Sequence, residues 1–596
     1  MRKTIWLVLV AALVVGLVAA VAAGCGNEAT TTTTAGGTGT TAGPATTAGP
    51  GTTAASTETT MAAGEPVMGG ILKTGTVSHP SRFGFPGKVF GPDQWFEGLF
   101  LEMMYNPTDK IDVYTPQLAE SWELTPDKSA YIFHLRKGVK FTDGTDFNAA
   151  AAKFCWDLNL APAGGPPAGG PPTTAAGGPP TTAAGGPPTT AAGGPPPGGP
   201  PPGPPGPPPD FAFVKSIEVV DDFTVKVNLK QWSNQVLPFI GRKSWAVFSP
   251  TAYKEKGADY LNINPVGTGA FMLKSFTPDQ SMVLEKNPNY WGKDAQGRQL
   301  PYLDGIEITI FGDPNTMTMA LQAGQIDGTD QVSLVGAQQL QNNPDFILGD
   351  FGGPDQMLEM NTTDPASVWS DIKMRQALEY AIDKEGIGKS VGLGFTPAIY
   401  EVIHSVKEVV DPGTTPRTYD PEKAKALMAE AGHPTVECAI NYDSNRTDPN
   451  FADAVQANLA AVGIKATLNG MNTGAFSAIS TKVPQGNDII FQGLRGGAPN
   501  VLQGAIEMYG KGTIYFPAFS PPAEFYTLMD KAQTHPSIAD ANPDIAQMEK
   551  IAYDDAQVVG VTMAAFISVT GPKLKNMEWH LGNTPTPWFN EAWLVK

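Results

Sequence analysis

Three cysteines and six histidines in 596 residues leave little material for metal or thiol chemistry. The histidines, His79, His134, His404, His433, His535 and His580, stand apart from one another, and Cys25, Cys155 and Cys438 share no ligand spacing. No paired CxxC, HExxH or GxSxG is present, so the common zinc, metalloprotease and serine-hydrolase signatures are missing. The stretch EGIGKS at Glu385–Ser390 echoes the end of a phosphate-binding loop, but Asp383 stands where the first glycine is required. A helical pattern, not a strand, precedes it. Positive charge is also scarce: 40 Lys and Arg against 58 Asp and Glu give a formal charge of −18. That balance argues against a nucleic-acid partner, because phosphate binding needs clustered Lys and Arg. No cofactor, metal or catalytic residue is expected, and the chain does not read as an enzyme.

Two tracts lack nearly every core-forming residue. Residues 27–65 and 161–210 consist almost wholly of Thr, Ala, Gly and Pro and cannot bury enough apolar area to fold. The first behaves as a flexible tether with an r.m.s. reach of about 35 Å. The second repeats GGPPTTAA every eight residues, without the glycine at every third position that a collagen helix needs. It reads as a surface insertion.

What surrounds the insertion is ordinary folded sequence. In SAYIFHLRKG, Tyr131, Phe133 and Leu135 alternate with Ile132, His134 and Arg136, the period of a half-buried strand. Beyond the tract, Ile217 and Val219, an Asp-Asp turn, then Val225, Val227 and Leu229 predict a hairpin. Further on, Asp420 followed by Pro421 opens a helix with Ala424, Leu427 and Met428 on one face and Gly432 as its terminator. Met374, Leu378, Ala381 and Ile382 form the apolar stripe of another.

The amino terminus has a basic start at Arg2 and Lys3, an apolar run from Ile5, and Ala22, Ala23 and Gly24 before Cys25. This is the layout of an export signal. It resembles a bacterial lipobox, which implies that Cys25 becomes a lipid-modified first residue, although Ala22 replaces the preferred leucine. Cys155 and Cys438 are expected to be free thiols.

Six phrases follow in order: PQLAESWELTPDKSAYIFHLRKGVKFTDGTDF, NPVGTGAFMLKSF, LEKNPNYWG, PYLDGIEITIFGDPNTMTMALQAGQID, MRQALEYAIDKEGI and YDPEKAKALMAEAG. Together they resemble the extracytoplasmic solute-binding proteins of the peptide/opine/nickel class, solute-binding protein family 5, the receptors of ABC importers. The resemblance implies an α/β, bilobal periplasmic-binding-protein type II fold with an extra subdomain in the first lobe. The implied layout is a lipoprotein signal peptide (1–24), a tether (25–65), the first lobe (66–85), the extra subdomain (86–238, with the insertion at 161–210), the first lobe again (239–311), the second lobe (312–556) and a return to the first (557–596).

The same resemblance implies a monomeric receptor, lipid-anchored on the extracytoplasmic face, that holds an oligopeptide or similar solute between its lobes and delivers it to ABC permease subunits. A sensor of the same fold, signalling to a membrane partner, is the alternative; an extracellular hydrolase is a third reading, disfavoured because the sequence shows no nucleophile–base signature. By resemblance Asn361 lies at the edge of the second lobe, and QGLRGGAPN matches the family's Gly-Trp-x-Ala-Asp-Tyr-x-x-Pro cleft segment. There Leu494 replaces the aromatic, Gly497 stands at the acidic position, and Arg495 introduces a cation. Asn361, Gly493, Arg495, Gly496 and Gly497 are therefore the candidate ligand residues, with Trp95 and Tyr400 as aromatic walls. Asp488 is a candidate replacement for the missing acid.

Overall fold

The computed structural model describes residues 65–85, 93–108, 110–160, 212–403, 410–495, 500–511, 513, 515–581 and 585–595. Cys25 and the signal-like segment, the tether and the insertion lie outside them. The described residues belong to one compact unit, 61–596.

The patterned segments form the elements their spacing predicts. Tyr131, Phe133 and Leu135 are buried in the Ala130–Leu135 strand while His134 is exposed. The hairpin pairs Val214–Asp221 with Thr224–Leu229, placing Ile217 opposite Val227 and Val219 opposite Val225. With Ala119–Leu124 these strands make a four-stranded antiparallel sheet. Its covering helix, Ala149–Leu160, is tied on by the Lys153 ammonium, which donates to the Ile217 carbonyl at 2.9 Å. Both flanks of the insertion are thus anchored to the same subdomain. The Asp420 carboxylate caps Pro421–Glu430 by accepting from the Lys423 N–H, with Ala424 and Met428 buried and Leu427 half-buried.

Two larger sheets organise the rest. In the first, seven strands run in the order Ile347–Asp350, Ile567–Thr570, Gly328–Thr329, Ile71–Thr76, Gly305–Ile310, Ser281–Lys286 and Phe271–Thr277. In the second, five strands run in the order Ile464–Met471, Val436–Asp443, Ile489–Arg495, Pro354–Met360 and Val558–Met563. The first sheet shares one apolar core with the subdomain, around Leu72, Phe133, Trp156, Trp245 and Leu303. The second is covered on one side by Met374, Leu378, Val455 and Leu459, and on the other by Val501, Leu502, Phe525 and Ile545.

This topology moves the expected lobe boundaries. Residues 312–350 were expected in the second lobe, but Gly328–Thr329 and Ile347–Asp350 hydrogen-bond into the first sheet. Met317, Leu321 and Leu340 pack there against Ile567 and Val569. Likewise Val558–Met563, expected in the first lobe, pairs with Pro354–Met360 of the second sheet. The chain crosses at 351–353 and 564–566, because those are the residues between strands of different sheets.

Candidate functional site

The two crossovers run side by side. Gly353 N–H donates to the Ala564 carbonyl at 2.5 Å, Ala564 N–H to Pro354 O at 3.0 Å, and Phe351 N–H to Phe566 O at 3.1 Å. A side chain on Gly353 would sit 2.7 Å from the Ala564 carbonyl oxygen, so close approach of the backbones requires glycine there. Two short, adjacent connections have the geometry of a hinge, where a few residues can absorb the φ/ψ change of a movement between lobes.

The subdomain supplies further contacts to the second lobe. Asn234 donates its N–H to the Gln533 carbonyl at 3.0 Å and its side-chain amide to the Ala532 carbonyl at 2.9 Å. The Asp112 carboxylate accepts from the Ile538 N–H at 3.2 Å. Arg242, in the first-lobe segment that follows the subdomain, forms an ion pair with Glu507 of the Val501–Tyr509 helix. The lobes therefore meet both at the hinge and through the subdomain, with an interlobe surface between.

Strand register places the expected ligand residues relative to that surface. Gly493 stands opposite Gln356, and Arg495 opposite Pro354, the first residue beyond the crossover. The end of the Ile489–Arg495 strand therefore lies at the hinge. The Arg495 side chain, Gly496 and Gly497 fall outside the described residues. Asn361 sits past Met360, at the other end of its strand from Pro354. Its side-chain oxygen accepts from the N–H groups of Thr363 and Asp364, at 3.3 and 3.1 Å, and so caps a turn. Asp488 precedes the same distant strand end, where it accepts from the Ala439 N–H at 2.9 Å. Asn361 and Asp488 are not brought together with Gly493.

The two aromatics differ in kind. Trp95, on the Asp93–Glu97 helix, is nearly buried and meets Phe566 of the crossover edge-on, ring centres 6.0 Å apart. It links the first lobe to the hinge. Tyr400 lies over the Lys384 ammonium at 4.9 Å, and that ammonium pairs with Glu379 at 2.7 Å, both partners buried. Burial, then the neighbouring carboxylates led by Glu385, push the phenol up to about 12. Asp355 is a residue that sequence reasoning missed. It is buried beside the hinge, opposite Leu494 and Met563, and no local pattern marks it.

Burial pushes three carboxyls, Glu102, Asp330 and Glu359, far above the usual carboxylate range. Burial raises Glu102 to about 7 against hydrogen bonds led by the Trp291 indole, which donates at 2.9 Å; the Tyr290 hydroxyl also donates, at 3.1 Å. Asp330 is raised to about 7 by burial, opposed by the Thr76 hydroxyl at 2.7 Å. Glu359 is raised to about 8. Cys155 and Cys438 are free thiols, both pushed up to about 12 by burial, so neither is a ready nucleophile. Among the described residues no three His, Cys, Asp or Glu side chains group as a metal site, and no helix is long and apolar enough to cross a membrane.

Residues 113–516 match the bacterial extracellular solute-binding proteins, family 5. The chain belongs to that family. This family 5 chain is 28% identical over 375 residues to the heme-binding protein A of Haemophilus influenzae, covering 59% of this chain and 60% of the relative. It is 29% identical over 367 residues to a glutathione-binding protein of Shigella flexneri, covering 61% and 62%. The match thus spans about three fifths of each relative's length. In structure it is similar to the periplasmic binding protein DppA of Helicobacter pylori, solved with the peptide STSA, at TM-score 0.67 and 21% identity, covering 89% of this chain and 99% of that one. The fold is accordingly the α/β type II periplasmic-binding-protein fold expected from the six phrases.

Proposed function

We propose that this family 5 protein is an extracytoplasmic receptor, lipid-anchored through Cys25, that captures an oligopeptide or similar solute between its lobes. It delivers that solute to the permease of an ABC importer. The observation that carries the reading is the pair of adjacent crossovers, 351–353 and 564–566, in a chain of this family. A receptor of this kind works by differential affinity: the solute binds the closed arrangement better than the open one and shifts the population toward it. No covalent step is needed, in keeping with the lack of a nucleophile signature in the sequence. The relatives' names span heme and glutathione, and DppA was solved with a tetrapeptide, so the family relation fixes a class of receptor more narrowly than a ligand.

Arg495 and the glycines Gly493, Gly496 and Gly497 form the segment through which ligand choice is set. With Gly497 at the acidic position of the family segment, the ligand is not held by a carboxylate–α-amine pair, and Arg495 favours an anionic group with bidentate geometry.

Native mass spectrometry of gently purified protein tests the receptor reading, since a captured solute adds a discrete mass that disappears on mild unfolding. Calorimetric titration with free and N-acetylated peptides, repeated on Arg495→Ala, tests the cleft. A strong preference for free amines with no effect of Arg495→Ala would overturn the Arg495 assignment. Fractionation of Cys25→Ser tests the anchor: the variant leaves the membrane fraction, whereas retention of an uncleaved apolar run would show a spanning segment instead.

A further inference from the structure

The Val501–Tyr509 helix has two faces with different neighbours. Val501, Leu502, Ala505, Met508 and Tyr509 pack into the core of the second lobe. At 100° per residue, Gln503 and Glu507 fall together on the opposite side, one turn apart. Glu507 there meets Arg242 of the first lobe, so this face looks across to the other lobe. A glutamine on the side of a helix away from its own core is ordinarily solvated. Gln503 is instead fully buried, and neither Oε1 nor Nε2 has a hydrogen-bond partner. Its backbone N–H is already satisfied by the Asn500 side chain at 2.8 Å, so the local helix cap does not use the amide. A second orphan points the same way. Gln235 adjoins Asn234, which bonds to the second lobe, and Gln235 is fully buried with an unpartnered Oε1.

Buried amides left without partners are costly, and native proteins rarely keep them unless something else completes the bonds. We infer that the Gln503 carboxamide is a ligand-anchoring group of the interlobe surface, and that it recognises a neutral amide group of the solute. The chemistry follows from the side chain. Oε1 accepts and Nε2 donates from adjacent positions in one plane, so the complementary group carries a donor beside an acceptor, as a primary or secondary amide does. A carboxylate would satisfy Nε2 and face Oε1 with negative charge; an ammonium would satisfy Oε1 alone. An ester lacks the donor and leaves Oε1 unpaired, the kind of mismatch that sites built from hydrogen bonds reject strongly. This inference rests on the receptor reading above and names a subsite within it.

The test uses wild type and Gln503→Leu with two probes: a pool of N-acetylated tripeptide amides and the matched pool in which backbone amides are replaced by esters. Native mass spectrometry identifies retained members and calorimetry gives their affinities. Wild type is expected to bind amides roughly tenfold or more tighter than the matching esters. Gln503→Leu removes that preference, and its unliganded melting temperature equals or exceeds that of wild type because an orphaned polar group has gone. The inference is overturned if the preference survives in Gln503→Leu, if wild type retains neither pool, or if unliganded Gln503→Leu melts well below wild type. That last arm needs no ligand. Failure of the receptor reading is seen separately, as absence of any co-purifying mass in wild-type protein from its host.

Discussion

Arg242 of the first lobe and Glu507 of the second lobe form an ion pair across the two lobes, with 15% and 19% of their side chains exposed. A pair shielded to this degree is screened less than a surface pair and breaks when the lobes part. Glu507→Gln keeps the shape and removes the charge. It is expected to cost the closed arrangement about 1–2 kcal/mol, which shortens ligand residence about tenfold. Stopped-flow release of a bound solute checks this; an unchanged off-rate would mean that the pair does not gate the cleft.

Gly353 is the tightest point of the hinge. A Cβ there would lie 2.7 Å from the Ala564 carbonyl oxygen and 2.9 Å from the Ala564 Cβ. Gly353→Ala therefore forces the two crossovers apart, with a stability loss of about 1–3 kcal/mol and weaker ligand binding. Gly312→Ala, where a Cβ meets nothing within 4 Å, serves as the neutral control. Equal melting temperatures for the two variants would refute this account.

The elements were legible where the signal is local. Alternation at Tyr131–Leu135 and the Asp420–Pro421 helix start depend on neighbours within a few residues, and both stand as read. The lobe boundary was not legible, because it depends on pairing between 351–353 and 564–566, over 200 residues apart in the chain. Asp355 and the Arg242–Glu507 pair escaped for the same reason. Asn361 shows the converse limit. The resemblance put it at the edge of the second lobe, but only the register reveals that it lies at the end of its strand away from the hinge.

Lys384 and Glu379 form a pair with 1% exposure on each side chain, and the ammonium also donates to the Ile399 carbonyl. Removing one member leaves the other charged in a dry site. Lys384→Met is expected to destabilise the fold by about 3–5 kcal/mol, while Glu379→Leu/Lys384→Met recovers most of that loss. Denaturant melts of both variants decide it; a double variant as unstable as the single one would count against the explanation.

Deleting 164–207 and closing the gap with a short Gly-Ser loop is expected to leave ligand affinity unchanged and to raise stability by roughly 1–2 kcal/mol through cheaper loop closure. The flanks are held independently of the tract: the Asn159 amide donates to the Ser244 carbonyl and the Lys230 ammonium to the Ala212 carbonyl, each at 3.0 Å. A melting temperature several degrees below wild type would show that the tract packs on the domain.

Glu359 makes stability depend on pH with a definite sign. It is 1% exposed, and burial raises its carboxyl from 4.5 to about 8, opposed by a long hydrogen bond from the Ala518 N–H at 3.4 Å; the Gln492 side-chain amide also donates to it, at 3.3 Å. Between about 4.5 and 8 the folded protein keeps a proton that the unfolded chain releases. The stabilisation is complete below the unfolded value and is lost as pH rises through 8, with a limiting slope of about 1.4 kcal/mol per pH unit for one group. Glu102 and Asp330, each raised to about 7, act in the same direction. Unfolding free energy is thus expected to fall from pH 5 to pH 8.5. Glu359→Gln, which keeps the hydrogen-bonding shape without the proton, makes that fall shallower and is relatively more stable at pH 8.5 than at pH 5. Denaturant melts at pH 5, 6.5 and 8.5 measure both slopes. Parallel curves for wild type and Glu359→Gln would show that this carboxyl is ionised in the folded protein across the range.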